Sequence, residues 1–283
     1  ASLAGAVSHS ASALLLLRAV EGMGFLMVVL PAPSMIRQLV PPQRISRVLG
    51  VWSAYMPLGT ALALLTGPLV TEAWGWPAWW GLLGLLSAAM LAWVARGVPV
   101  SAMAVPAAPA GAAGWRLWWQ PLRQTLGAPG PWLVALCFCV YAAQWLSVVG
   151  FLPSIYRQAG VAGGWVGALT ALVAAINIVG NVMSGRLLQR GWAPGRLMAL
   201  GFVCMAVGAV LAYVADAQQQ GLPFAWRYAG VLLFSCMGGL VPGTRFSMAV
   251  KVAPNNKTVA TTVGWMQQWS AFGQFAGPPL VAW

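Results

Sequence analysis

Acid is what this chain lacks most. Its 283 residues hold three aspartates and glutamates and one histidine, against fifteen lysines and arginines. Charged residues make up 6% of the sequence, where soluble domains carry about 25%. A water-soluble globular domain is therefore excluded. So few acids and imidazoles leave no set from which to build an acid–base pair or a metal centre. No catalytic residue, metal ligand or cofactor is assigned, and a membrane-embedded enzyme is a remote alternative, as is a channel. Cysteine is scarce too. Cys137, Cys139, Cys204 and Cys236 all stand in apolar runs, and the first pair, two apart, would point in different directions on a helix. They read as small buried hydrophobes rather than a disulfide or metal framework. Short alternating segments are missing as well, which argues against a β-barrel.

What the chain has is long apolar runs. Hydrophobic residues make up 60% of it, with a mean hydropathy of +0.78. Windows of about twenty residues predict eight full spans, at 12–36, 48–71, 77–95, 131–155, 164–185, 197–215, 227–250 and 259–282. Residues 1–8 read as the tail of an earlier span. The chain opens on Ala1 and closes on Trp283, both within apolar stretches, so both ends read as truncated. The expected fold is an all-α membrane protein of eight full spans and a partial one.

In a soluble protein the net charge of +12 would point to nucleic acid. Here the basic residues occupy the gaps between spans, and nucleic acid is not an expected partner. Arg37, Arg44 and Arg47, then Arg96, Arg116 and Arg123, then Arg186, Arg190 and Arg196, then Lys251 and Lys257 fall in alternate loops that hold no acid. The opposite loops hold Arg157, Arg227, Glu72 and Asp216. This asymmetry puts the first set in the cytoplasm. A multi-pass protein of the inner (plasma) membrane, in contact with its lipids, follows.

The longest connection is cytoplasmic. Its Ala/Pro-rich stretch, 101–114, reads as flexible. Trp115 to Arg123 then mixes tryptophan and arginine, as would a segment lying on the membrane surface or a linker with membrane-anchoring tryptophans. It divides the chain into an N-terminal half, 1–97, a linker, 98–130, and a C-terminal half, 131–283. At an offset of 214 residues the halves match: Gly24 with Gly238, Arg37 with Lys251, Gly50 with Gly264 and Gly59 with Gly273. Gly67-Pro68 and Gly277-Pro278 correspond after a shift of four, about one helical turn. Such pseudo-repeated halves are a common plan for secondary transporters.

Three motifs then carry a resemblance. Arg18-Ala-Val-Glu21-Gly22-Met-Gly24 matches R-x-x-[Q/E]-G-x-G. Gly264, Gly273 and Gly277-Pro278 match a glycine–proline helix signature, echoed by Gly50, Gly59 and Gly67-Pro68 with its last pair one turn late. Gly180-Asn-Val-Met-Ser-Gly185-Arg186-Leu-Leu-Gln189-Arg190-Gly191 is similar to a cytoplasmic loop motif, with Gln189 where an acid is usual. In order, spacing and sidedness these resemble the major facilitator superfamily, from the end of its third helix to its eleventh. The resemblance implies a bundle of two helical halves that works by alternating access on a small-molecule substrate, usually as a monomer. The glycine–proline signature, associated with antiporters, implies efflux or exchange, with protons as the candidate counter-ion. Uptake of a small organic anion is the alternative, motivated by Arg18 and Arg245.

The candidate pathway residues are the polar ones inside spans: Arg18, Glu21, Gln144, Trp145, Asn177, Arg245 and Gln267. An unpaired arginine near the bilayer centre costs on the order of 3 kcal/mol or more. Arg18 therefore needs a partner, and Glu21 is three residues on along the same face. That pair lines a pathway, with Glu21 taking a proton, or is a structural ion pair, or Arg18 snorkels to the surface. Arg245 meets an anion or a helix end, or snorkels. Tyr141, Gln144 and Trp145 are expected on one face, and Asn177 and Asn181 on another, as substrate contacts or as interhelical glue. Gly22, Gly24, Gly59, Gly67, Gly264, Gly273 and Gly277 are expected at close helix approaches, and Pro68 and Pro278 at bends. His9 is expected in a loop.

Overall fold

The computed structural model describes residues 1–97, 113–214 and 222–283. Most of the Ala/Pro-rich stretch of the linker, and Asp216, lie outside these residues. Twelve α-helices and no strand are found among the described residues. They are α1 (Ser2–Ala6), α2 (Ala11–Val29), α3 (Ala32–Leu39), α4 (Ile45–Trp52), α5 (Tyr55–Gly97), α6 (Ala113–Leu126), α7 (Pro129–Gln158), α8 (Gly163–Gln189), α9 (Pro194–Tyr213), α10 (Phe224–Gly238), α11 (Leu240–Val252) and α12 (Val259–Ala282). Helices suit a bilayer because each satisfies its own backbone hydrogen bonds. Six segments are long and apolar enough to cross a membrane: Ala11–Val29, Pro42–Gly97, Pro129–Gln158, Gly163–Gln189, Pro194–Tyr213 and Phe224–Val252. With α12, 24 residues long, they make the chain an all-α, multi-pass membrane protein.

Several expected spans are interrupted. The span at 12–36 divides into α2 and α3 around Pro31, which has no N–H to continue the helix. The span at 48–71 is interrupted at Ser53 and Ala54, where the Ser53 hydroxyl donates to the Gly50 carbonyl at 2.7 Å. The span at 227–250 divides into α10 and α11 at Gly239. Within α5, Gly75 has φ 78° and ψ 167°, a conformation open essentially to glycine alone. The expected 48–71 and 77–95 spans meet there, and Pro77 restarts the helix. Gly191, at φ 87°, ends α8: its N–H bonds the Leu188 carbonyl and that of Trp192 bonds the Leu187 carbonyl, both at 3.1 Å. This is the double bond of a Schellman cap, and it gives one loop-motif glycine a purely geometric duty. The tryptophan- and arginine-bearing segment that follows the Ala/Pro-rich stretch forms α6.

The chain forms two compact units, Ala1–Val29 with Thr66–Gln120, and Leu30–Leu65 with Pro121–Trp283. In the first, α1 lies on the second part of α5. A Cβ on Gly84 would stand 2.7 Å from the Leu3 side chain, and one on Gly5 would strike Trp80.

The second unit holds the larger core. Phe138, Tyr141, Trp145, Val173, Met205, Phe234 and Val241 are buried together there. A second cluster gathers Leu49, Val134, Phe246, Val263 and Met266. Backbones approach closely wherever glycine removes the side chain. Gly273 abuts Cys139, and a Cβ on Gly277 would lie 2.7 Å from the Ala143 Cα. Both contacts advance by four residues, so α7 and α12 run in the same direction. Gly208 and Gly230 make the corresponding approach between α9 and α10. With lipid as apolar as leucine, such van der Waals contact is what holds membrane helices together.

Candidate functional site

Five helices of the second unit converge on a narrow cleft. The break before α5 places Tyr55, Met56 and Pro57 at its wall. Helix α7 contributes Phe138, Tyr141 and Trp145, spaced along one face by three and four residues. Asn177 comes from α8, Arg245 from α11, and Ser270 and Gln274 from α12.

Much of the polar lining is committed to the protein itself. The Asn177 amide donates to the Ser235 carbonyl at 2.7 Å and to the Tyr141 hydroxyl at 3.1 Å. The Asn181 amide donates to the Asn177 carbonyl and side-chain oxygens, at 2.9 and 2.8 Å. Trp145 Nε1 donates to Ser235 Oγ at 3.1 Å, and that hydroxyl donates to the Val173 carbonyl at 2.6 Å. The network ties α7, α8 and α10 together through buried groups, each bond worth about 1 kcal/mol net. Asn177 and Trp145 thus line the cleft and also act as glue.

Arg245 is different. It is 4% exposed, with its guanidinium carbon 3.3 Å from the Phe138 ring centroid and 4.3 Å from that of Phe246. Its Nε and Nη1 have no hydrogen-bond partner among the described residues. Tyr55 stands beside it and beside Gln267, which is buried with its Oε1 unpartnered. Arg245 therefore faces a cleft in the protein interior; the headgroup-snorkelling alternative does not describe it.

The structure brings Trp145, Asn177 and Arg245 to one cleft, and Gln267 beside it. Gln144 is not among them, although it was expected on the face of Tyr141 and Trp145. It is exposed and lines a separate, more open groove with Ser147, Phe151 and Tyr213. Neighbouring helix positions diverge by about 100°, enough to turn Gln144 off the face that Trp145 holds. Tyr55 and Phe138 were not anticipated. Tyr55 offered a signal, being the one phenol in an otherwise apolar segment; Phe138 offered none.

Arg18 and Glu21 belong to the first unit. They form an ion pair, Glu21 also accepts from the Ser2 hydroxyl, and Arg18 lies 4.3 Å from the Trp80 ring centroid. Of the two side chains Arg18 is 51% and Glu21 21% exposed.

The glycine motifs divide. Gly273 and Gly277 make the close approaches expected of them. In the loop motif, Gly180 lies against Cys236 and Gly239, and Gly185 against Ser46 and Gly50. Gly22, Gly24 and Gly59 meet nothing within 4 Å among the described residues; Gly67 meets only Trp79, and Gly264 only Leu30. A small residue permits a close approach, but only a facing helix makes one. Pro68 and Pro278 lie inside continuous helical segments. Arg186 and Arg190 are exposed at the end of α8, and His9 lies in the connection between α1 and α2.

A family model described as the Major Facilitator Superfamily matches residues 1–278. A protein of Mycolicibacterium smegmatis described as an MFS-type efflux pump is 31% identical over 153 residues, 53% of this chain. The match spans 34% of that relative's length.

Proposed function

Since the chain belongs to the major facilitator superfamily, we propose that it is part of a secondary transporter that moves a small organic solute across the inner membrane by alternating access. The observation that carries this reading is the cleft around Arg245, built from α5, α7, α8, α11 and α12 and lined by apolar walls with a few polar groups, as solute sites are. The proposed halves are 1–97 and 131–283, joined by a cytoplasmic linker at 98–130. The Gly50–Gly185 contact, in which a Cβ on Gly50 would lie 2.9 Å from the Gly185 Cα, supports a surface that can seal and part as helices rock. Pro68 and Pro278, with the glycines that precede them, supply bends for the same motion.

Direction and coupling follow the glycine–proline signature and the efflux relative: export in exchange for protons. Glu21, paired with Arg18, is the acid proposed to hold the proton; Glu72, expected in a loop, also falls inside a helix, α5. Uptake of an organic anion through the same machinery remains the second reading, favoured by the unpartnered guanidinium of Arg245. An enzymatic role has little to draw on in a chain of one histidine and three acids. The transporter is expected to act as a monomer among lipids.

Reconstitution in liposomes tests the reading. An outward-directed load of solute should leave faster under an imposed proton gradient and should exchange with unlabelled solute without one. A protein that conducts solute with neither saturation nor counterflow would be a channel, and the reading would fail.

A further inference from the structure

We propose that the cleft at Arg245 binds a small organic anion, a carboxylate or sulfonate joined to a flat apolar body. The inference rests on the reading of this cleft as the solute site and names what that site accepts.

Four observations carry it. First, Arg245 is buried to 4% exposure, with Nε and Nη1 unpartnered at the cleft. A guanidinium stays charged in any protein and offers donors only, so those nitrogens call for an acceptor. Second, the ion pair among the described residues is Arg18–Glu21. Arg245 is not part of that pair. Third, the neighbouring donors are spent on the protein. The Asn177 amide serves Ser235 and Tyr141, and Trp145 Nε1 serves Ser235. Arg245, which also bonds Tyr55, is thus the charged donor at the cleft, with Nε and Nη1 unspent among the described residues. Fourth, aromatic side chains line it, Phe138, Tyr141 and Trp145, and the guanidinium lies over the Phe138 ring. Aromatic surfaces stack on flat apolar bodies and partly screen the guanidinium, but they supply no counter-charge. A neutral ligand would leave the buried guanidinium's charge uncompensated, and a cationic one would be repelled.

A matched set of ligands tests this. Naphthalene-2-carboxylate, its carboxamide and the corresponding methylammonium share one body and differ in charge. Titrated calorimetrically into the protein in lipid nanodiscs, the carboxylate should bind at least tenfold tighter than the carboxamide, and the ammonium should bind weakest. Arg245→Gln should erase the gap between carboxylate and carboxamide while moving the carboxamide by less than twofold. Equal binding of all three, a preference for the ammonium, or an Arg245→Gln variant that weakens all three alike would overturn the inference. The charge series on the unaltered protein decides the matter even where that variant does not fold. Counterflow of a cationic dye in liposomes separates this inference from the transport reading. Dye exchange without any preference for the carboxylate sinks the anion site and leaves the carrier. Carboxylate binding without flux of any probe keeps the anion site and sinks the carrier.

Discussion

Two arginines sit inside apolar helices of this protein, and their surroundings are opposite. Arg18 has an acid three residues on, a hydroxyl behind that acid and an indole face beside it. Arg245 has two phenyl faces, and two of its nitrogens have no acceptor. One cation is neutralised from within the fold, so it can hold a helix or relay a proton but has little left for a ligand. The other is held in place without being neutralised. The difference teaches that the residue type alone does not mark a binding site; the unsatisfied remainder does.

The comparison can be broken by giving Arg245 what Arg18 has. Gln274 lines the same cleft, and Gln274→Glu would supply an internal acid. Binding of naphthalene-2-carboxylate should then weaken about 100-fold, or roughly 2.7 kcal/mol, as read by calorimetry; unchanged binding would mean that Arg245 does not recognise the anion.

Next in size is the network that supports the cleft. Asn177→Ala leaves the Ser235 carbonyl without its amide donor, and should lower stability by about 2 kcal/mol. Thermal unfolding in detergent would register this.

Removing the partner of Arg18 comes third. Glu21→Gln should reduce proton-driven accumulation about tenfold, on the order of 1.4 kcal/mol, and leave solute counterflow intact. Accumulation at the original level would show that the acid is structural. The smallest effect is expected at the open glycines. Gly24→Ala should shift stability by less than about 0.5 kcal/mol, because a Cβ there meets nothing within 4 Å among the described residues. Gly277→Ala should lower it by about 1–3 kcal/mol, since its Cβ intrudes on the Ala143 backbone of a close-packed pair.

Much of this was legible in the chain. The apolar runs mark where helices form, and Arg245, Trp145 and Asn177 stand out as polar or amphipathic groups within them. Gln144 shows the limit: a spacing of three and four suggests a shared face, yet a cleft admits only a narrow arc of the helix. The glycines of the R-x-x-[Q/E]-G-x-G motif show another limit, because sequence reports the missing side chain but not the facing helix. Tyr55 was passed over because its importance comes from a break in the helix just before it.

By itself the sequence determined that the chain crosses the membrane repeatedly and by helices. Partition of apolar side chains out of water and internal satisfaction of the backbone act locally, residue by residue. Tertiary structure alone decided which arginine keeps unspent hydrogen bonds. That depends on which residues, distant in sequence, spend each other's donors and acceptors, as Ser235 does for Asn177 and Trp145 while no described residue does so for the Nε and Nη1 of Arg245.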